Sequence, residues 1–139
     1  MPYDPVQIQP FRDDLTRLGF QELRTPAEVD AALPSEKGST LLVVNSVCGC
    51  AAGQARPGVA KALQNARKPD HLTTVFAGQD LEATAHARSY LTGYRPSSPS
   101  IALFKDGKLV FMLERFQIEQ KNAAEVAGQL TAAFDAHCG

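Results

Sequence analysis

Apolar positions along this chain follow two patterns, a helical spacing of three or four and continuous branched runs, and the changes between them divide it into elements. Val6, Ile8, Phe11, Leu15 and Leu18 follow two prolines at helical spacing and predict an amphipathic helix within the first twenty residues. Phe20 to Leu23 predicts a short edge strand. Thr25-Pro26-Ala27-Glu28 supplies an N-cap, a proline at the first helical position and an acid three residues after the cap, so a helix is expected to about Leu33. Pro34-Ser35-Glu36-Lys37-Gly38-Ser39 is a turn cluster. Thr40 to Val47 is a continuous apolar stretch rich in branched residues, the pattern of a strand covered on both faces.

Val59, Ala60, Ala62 and Leu63 mark a helix to about Arg67, with Pro57 placed either to start its regular part or to kink it. Leu72 to Ala77 reads as the next strand, and Asp80 is expected to cap a helix from Leu81 to Leu91. After an irregular loop from Thr92 to Pro99, Ser100–Phe104 and Leu109–Leu113 form a hairpin through Lys105-Asp106-Gly107-Lys108, where Asp-Gly favours a tight turn. Asn122-Ala123-Ala124-Glu125 is a second capping-box pattern, opening a terminal helix with Val126, Leu130, Ala133 and Phe134 on one side. The resulting order, β-α-β-α-β-α-β-β-α behind an extra helix, implies an α/β protein with a central mixed sheet flanked by helices.

A chain of 139 residues suits one domain, 1–139, with 1–19 as a helical extension and 20–139 as the core. Fourteen basic against fifteen acidic residues give a formal charge of −1, which argues against a nucleic-acid footprint and against a polybasic membrane patch. No basic n-region and apolar h-region opens the chain, and no run reaches the length of a membrane span, so a cytoplasmic protein is expected.

The chemistry lies in Cys48-Gly49-Cys50, at the end of the run Leu41–Val47, where a strand hands over to a helix. A helix start offers unpaired N–H groups and the positive end of the helix dipole, and both favour a thiolate over a thiol. A second thiol two residues on can attack a mixed disulfide at the first and release its partner, and Gly49 gives the backbone freedom that so small a ring needs. The tighter ring of Cys-x-Cys implies a strained and therefore more oxidising disulfide; a potential as low as thioredoxin's, about −270 mV, would refute this. Cys138, the third cysteine, has three readings: a mobile resolving thiol, an intermolecular disulfide site, or a thiol packed against the last helix. A metal site built from the cysteines and one of His71, His86 or His137 is disfavoured by the one-residue spacing and the lack of a second pair, so neither metal nor organic cofactor is expected. Arg56 and Lys61 follow the cysteines and either add positive potential near a thiolate or a carboxylate-bearing thiol substrate or, the simpler reading, are solvated helix charges, while Tyr94 and Arg95 either line the substrate groove or are loop surface.

The order of elements, with a cysteine pair after a central strand, resembles the thioredoxin fold. Ser98-Pro99-Ser100-Ile101-Ala102-Leu103-Phe104-Lys105-Asp106-Gly107-Lys108 is similar to that fold's cis-proline loop, strand and hairpin, which makes Pro99 the candidate cis-proline and Gly49, Ser98 and Pro99 the candidate substrate groove. One residue between the cysteines, and Val47 rather than an aromatic before the first, depart from thioredoxin itself, and the sequence offers no obvious equivalent of its buried acid. Cys-Gly-Cys, Tyr3-Asp4-Pro5, the Glu114-Arg115 to Ile118-Glu119 region and a terminal cysteine together resemble the bacilliredoxin family. That resemblance implies thiol–disulfide exchange, with Cys48 as nucleophile and Cys50 as resolving thiol. Its substrates would be S-thiolated or disulfide-containing proteins and a low-molecular-weight thiol such as bacillithiol, and disulfide isomerase activity is also implied. Readings from other classes are a non-catalytic redox sensor, with Cys138 as a third redox thiol, and a module binding a metal or a protein partner.

Overall fold

A computed structural model of the protein describes residues 3–34 and 37–138; Ser35 and Glu36 of the turn cluster lie outside the described residues. Helix α1 (Pro5–Thr16) starts at Asp4, whose carboxylate accepts the Val6 N–H at 2.9 Å. Strand β1 (Gln21–Glu22) is followed by α2 (Pro26–Ala32), capped by Thr25 as expected. The Glu28 carboxylate accepts the Arg24 N–H and the Thr25 hydroxyl, a variation on the expected box. Strand β2 (Ser39–Asn45) leads into a π-helical turn (Ala51–Ala55) and α3 (Arg56–Ala62), followed by β3 (His71–Phe76) and α4 (Leu81–Arg88). The chain closes with β4 (Ser100–Lys105), β5 (Lys108–Leu113), a short α5 (Arg115–Glu119) missing from the sequence reading, and α6 (Ala123–His137).

The hairpin turns at Asp106 and Gly107, with φ of 51° and 81°, the left-handed pair that Asp-Gly is suited to supply. In α6 the capping box forms in full: Asn122 Oδ1 accepts the Glu125 N–H and Glu125 Oε1 accepts the Asn122 N–H.

The five strands lie in the order β1-β3-β2-β4-β5, with β1, β3 and β2 parallel and β4 and β5 antiparallel. Central β2 is buried throughout and its successive side chains face opposite layers. Leu41 and Val43 join Ile101, Leu103, Val59, Leu130 and Phe134 on the face covered by α3 and α6. Leu42 and Val44 join Ala102, Phe104, Val29 and Ala87 on the face covered by α2 and α4. Each fully buried leucine of β2 contributes about 1.5–3 kcal/mol. Gly58 lets α3 and α6 touch, since a Cβ there would stand 2.5 Å from Val126 Cγ1.

Asp80 occupies the N-cap position of α4 but makes no side-chain cap bond, correcting the expectation. Its carboxylate is taken by buried Arg12, whose Nη2 donates to Asp80 Oδ1 at 3.1 Å while Nη1 donates to Glu22 Oε1 at 2.9 Å. The guanidinium also lies 5.2 Å over the Phe76 ring, so one arginine fastens α1 to the ends of β1 and β3.

Candidate functional site

The end of β2 delivers the thiols. Asn45 and Ser46 turn the strand out of the sheet by local bonding: Asn45 Oδ1 accepts the Ser46 N–H at 2.9 Å and Ser46 Oγ accepts the Cys48 N–H at 3.2 Å. Helical bonding begins at once, the Cys48 carbonyl accepting from the N–H groups of Ala51 and Ala52. The π-helical turn then widens the helix before Pro57, whose ring would collide with the Gly53 carbonyl in a regular helix and which has no N–H to give it. Of the two sequence readings of Pro57 the structure gives the first: it follows the irregular turn and sits in the first turn of α3.

Cys48 and Cys50 are free thiols, half-buried, with their sulfurs 2.9 Å apart. Burial opposes ionisation of Cys48, but hydrogen bonds from the Cys50 thiol, the Ala51 N–H, the Ser46 hydroxyl and the Cys50 N–H outweigh it and lower its pKa. Cys50 moves the other way, raised by burial and by its thiol proton being held against the negative Cys48 sulfur, with Arg115 acting in opposition. Gly49 is exposed, has no positive φ and has no atom within 4 Å of where a Cβ would stand, so the dithiol form itself makes no demand for glycine.

Beneath the thiols lies Arg56, which the simpler sequence reading left in solvent and the structure buries to 4% exposure. Its Nη1 donates to Asn45 Oδ1 and to the Ser46 carbonyl, both at 2.8 Å, and its Nε donates to Asp14 Oδ2 at 3.1 Å. The guanidinium stands 4.9 Å over the Phe11 ring, while Asn45 Nδ2 donates to the Phe11 carbonyl at 3.0 Å. Helix α1 thus supplies the partners that make burial of this charge affordable, and the fold brings a cation close enough to act on Cys48. Burial lowers the Arg56 pKa, with the pull of Asp14 and Cys48 opposing. Lys61 is exposed, as expected.

The Ser98–Pro99 peptide bond is cis, as the resemblance implied. Ser100 pairs with Val44 across the sheet, so this loop reaches the same edge as the thiols. Arg115, from the short α5, joins the two: its Nη1 donates to the Ser98 carbonyl at 3.1 Å, its Nε to Glu119 Oε1 at 2.7 Å, and its charge acts on both Cys50 and Cys48.

Cys138 is placed elsewhere. It is buried, its backbone N–H bonds the Phe134 carbonyl, and its thiol bonds the Ser39 side chain at the start of β2. The length of β2, about 20 Å at ~3.3 Å per residue, separates that end from Cys48. Burial raises the Cys138 pKa. His71 pairs with Thr40 at this far end too, and among the described residues no group of three His, Cys, Asp or Glu side chains is placed to hold a metal ion.

Asn45, Ser46, Asp14 and the role of Arg115 are absent from the sequence reading, and for Arg56 the less favoured of its two readings, a cation acting near the thiolate, is the one the structure supports. A signal existed for the first two, the polar residues inside an otherwise apolar run.

Comparisons with known proteins agree with this geometry. A family model described as disulphide isomerase matches residues 3–138. A bacilliredoxin of Salinibacter ruber is 56% identical over 141 residues, covering 100% of this chain and 83% of that protein. A bacilliredoxin of Koribacter versatilis is 50% identical over 137 residues, covering 99% and 94%. Among solved structures, Fasciola hepatica thioredoxin aligns with a TM-score of 0.56 at 16% identity, over 85% of this chain and 99% of its own. Malassezia sympodialis thioredoxin aligns with a TM-score of 0.54 at 14% identity, over 85% and 90%. A thioredoxin-like fold carrying a dithiol at the end of its central strand defines a thiol–disulfide oxidoreductase. Within that class, the chain belongs to the bacilliredoxin family.

Proposed function

We propose that this protein removes a low-molecular-weight thiol, of the bacillithiol type, from mixed disulfides on other proteins. The observation that carries the reading is that hydrogen bonds converge on Cys48 Sγ and favour its thiolate, while the neighbouring Cys50 holds its proton. The Cys48 thiolate attacks the small-thiol sulfur of the mixed disulfide, the old S–S bond breaks, and the substrate protein leaves as a thiolate that takes a proton. Cys50, losing its proton to solvent, then attacks Cys48 Sγ, and the small thiol departs with the electron pair of the broken bond. A Cys48–Cys50 disulfide remains, and a reducing thiol must return two electrons to it before the next cycle.

Gly49, Ser98 and Pro99 border the approach to Cys48 in this reading. Rearrangement of protein disulfides is a second use of the same nucleophile, supported by the description of the family model. Cysteine usage suits a reducing compartment, and we place the activity in the cytoplasm.

The test uses wild type, Cys48→Ser and Cys50→Ser with a model protein carrying a small-thiol mixed disulfide, followed by mass spectrometry. Cys50→Ser is expected to accumulate the small-thiol adduct on Cys48, and Cys48→Ser to be inert. Adducts on Cys50 in the wild type, or exchange by Cys48→Ser, would reverse the roles; inertness of all three proteins would leave a non-catalytic binding module.

A further inference from the structure

Between the loop that precedes the cis-proline and α5 lies a groove of about 510 Å³. Tyr94 and Phe116, 43% and 58% exposed, give it an apolar lining, and Arg95, Arg115, Glu114 and Glu119 give it charge. These charges are unequally committed. Glu114 holds the N-cap position of α5 through its backbone, its N–H donating to Gln117 Oε1 at 2.8 Å and its carbonyl accepting the Gln117 N–H at 3.0 Å. Arg115 spends Nε on Glu119 and Nη1 on the Ser98 carbonyl, which fixes the guanidinium in place and leaves Nη2 with no acceptor among the described residues. Arg95 has no hydrogen-bond or ion-pair partner among them. Guanidinium donors of Arg95 and Arg115 thus remain unbonded on an apolar wall, and the Arg115 bond to the Ser98 carbonyl at 3.1 Å joins that wall to the cis-proline loop at the thiol end of the sheet.

The exchange reaction needs a place beside Cys48 for the small half of the mixed disulfide. An exposed aromatic surface takes a short hydrocarbon stem, and guanidinium donors in a fixed fork take a carboxylate. We propose that this groove seats the small-thiol half of the substrate, and that Arg115 and Arg95 select amino-acid-derived thiols bearing a free carboxylate. This rests on the exchange reading above. When Cys50 attacks Cys48 Sγ, the departing small-thiol sulfur gains its electron pair within the field of Arg115, so the same residue that selects the thiol also favours its release.

The experiment has two arms, so that the subsite and the exchange reading fail separately. In the first, S-methylglutathione, a thioether that has a carboxylate but cannot exchange, is titrated into the reduced protein and mapped by amide chemical shifts. Shifts are expected in 93–97 and 114–119 and are expected to weaken in Arg95→Gln and Arg115→Gln; shifts confined to other segments overturn the subsite. In the second, one model protein carries either glutathione or cysteamine, which lacks a carboxylate, as the mixed disulfide. The wild type is expected to prefer the glutathione form in kcat/KM, and each arginine substitution to reduce that preference about fivefold, the size of one exposed charge contact. Equal loss on both substrates, or no preference in the wild type, overturns the selection. If no exchange occurs but S-methylglutathione still binds the groove through the arginines, the catalytic reading falls and the subsite stands.

Discussion

At the scale of single residues, the behaviour of Cys48 follows from the groups that point at it. Four hydrogen bonds overcome the cost of burial, and one of them comes from the thiol that would resolve the mixed disulfide. Alkylation of Cys48 by iodoacetamide is therefore expected to reach half its limiting rate at a pH below the ordinary thiol value of about 8.5, because only the thiolate reacts. Cys50→Ala is expected to move that midpoint upward through loss of a donor, and Cys50→Ser to move it less, since a hydroxyl still donates. Arg56 is the second residue-scale determinant. Arg56→Met removes a buried cation and leaves Asn45 Oδ1 and the Ser46 carbonyl each short of one donor, so it is expected to cost about 2–4 kcal/mol in urea unfolding and to raise the Cys48 midpoint. A drop in stability with no movement of the midpoint would show that Arg56 only supports the loop.

At the scale of elements, the site depends on one junction and one contact. Strand β2 stops where Asn45 and Ser46 turn their side chains to backbone work, and the π-helical turn then carries the chain round to Pro57. The helix behind it is held by close approach to α6. Gly58→Ala places a Cβ 2.5 Å from Val126 Cγ1, 2.7 Å from Val126 Cβ and 3.2 Å from the Ala123 carbonyl. Overpacking of about 1–3 kcal/mol is partly offset by the better helix propensity of alanine, about 1 kcal/mol, so a net loss of ~1–2 kcal/mol is expected in chemical denaturation. Asn122→Ala, which removes the acceptor of the Glu125 N–H, is expected to cost about 1 kcal/mol by the same measurement while leaving Cys48 reactivity unchanged.

At the scale of the whole molecule, α1 ties separate parts of the sheet to one another. Arg12 reaches Glu22 and Asp80, and Asp14 with Phe11 reaches Arg56 and Asn45, so one helix braces both the β1–β3 edge and the floor of the thiol site. Arg12→Met leaves two carboxylates facing each other without their shared cation, and a loss of about 3 kcal/mol in urea unfolding is expected. What the sequence determined alone is what depends on neighbours within a turn or two: the caps at Thr25 and Asn122, the Asp106-Gly107 turn, the apolar period of each helix, and a thiol pair at the end of a covered strand. Resemblance to a known fold added the cis bond before Pro99. Only the tertiary structure decided the rest. Whether Arg56 is solvated or buried, whether Asp80 caps a helix or binds Arg12, and where Cys138 comes to lie relative to Cys48 turn on groups brought together from tens of residues away. A charge or a thiol takes its character from the solvent and partners that surround it, and those are set by the packing of whole elements rather than by the residues beside it in the chain.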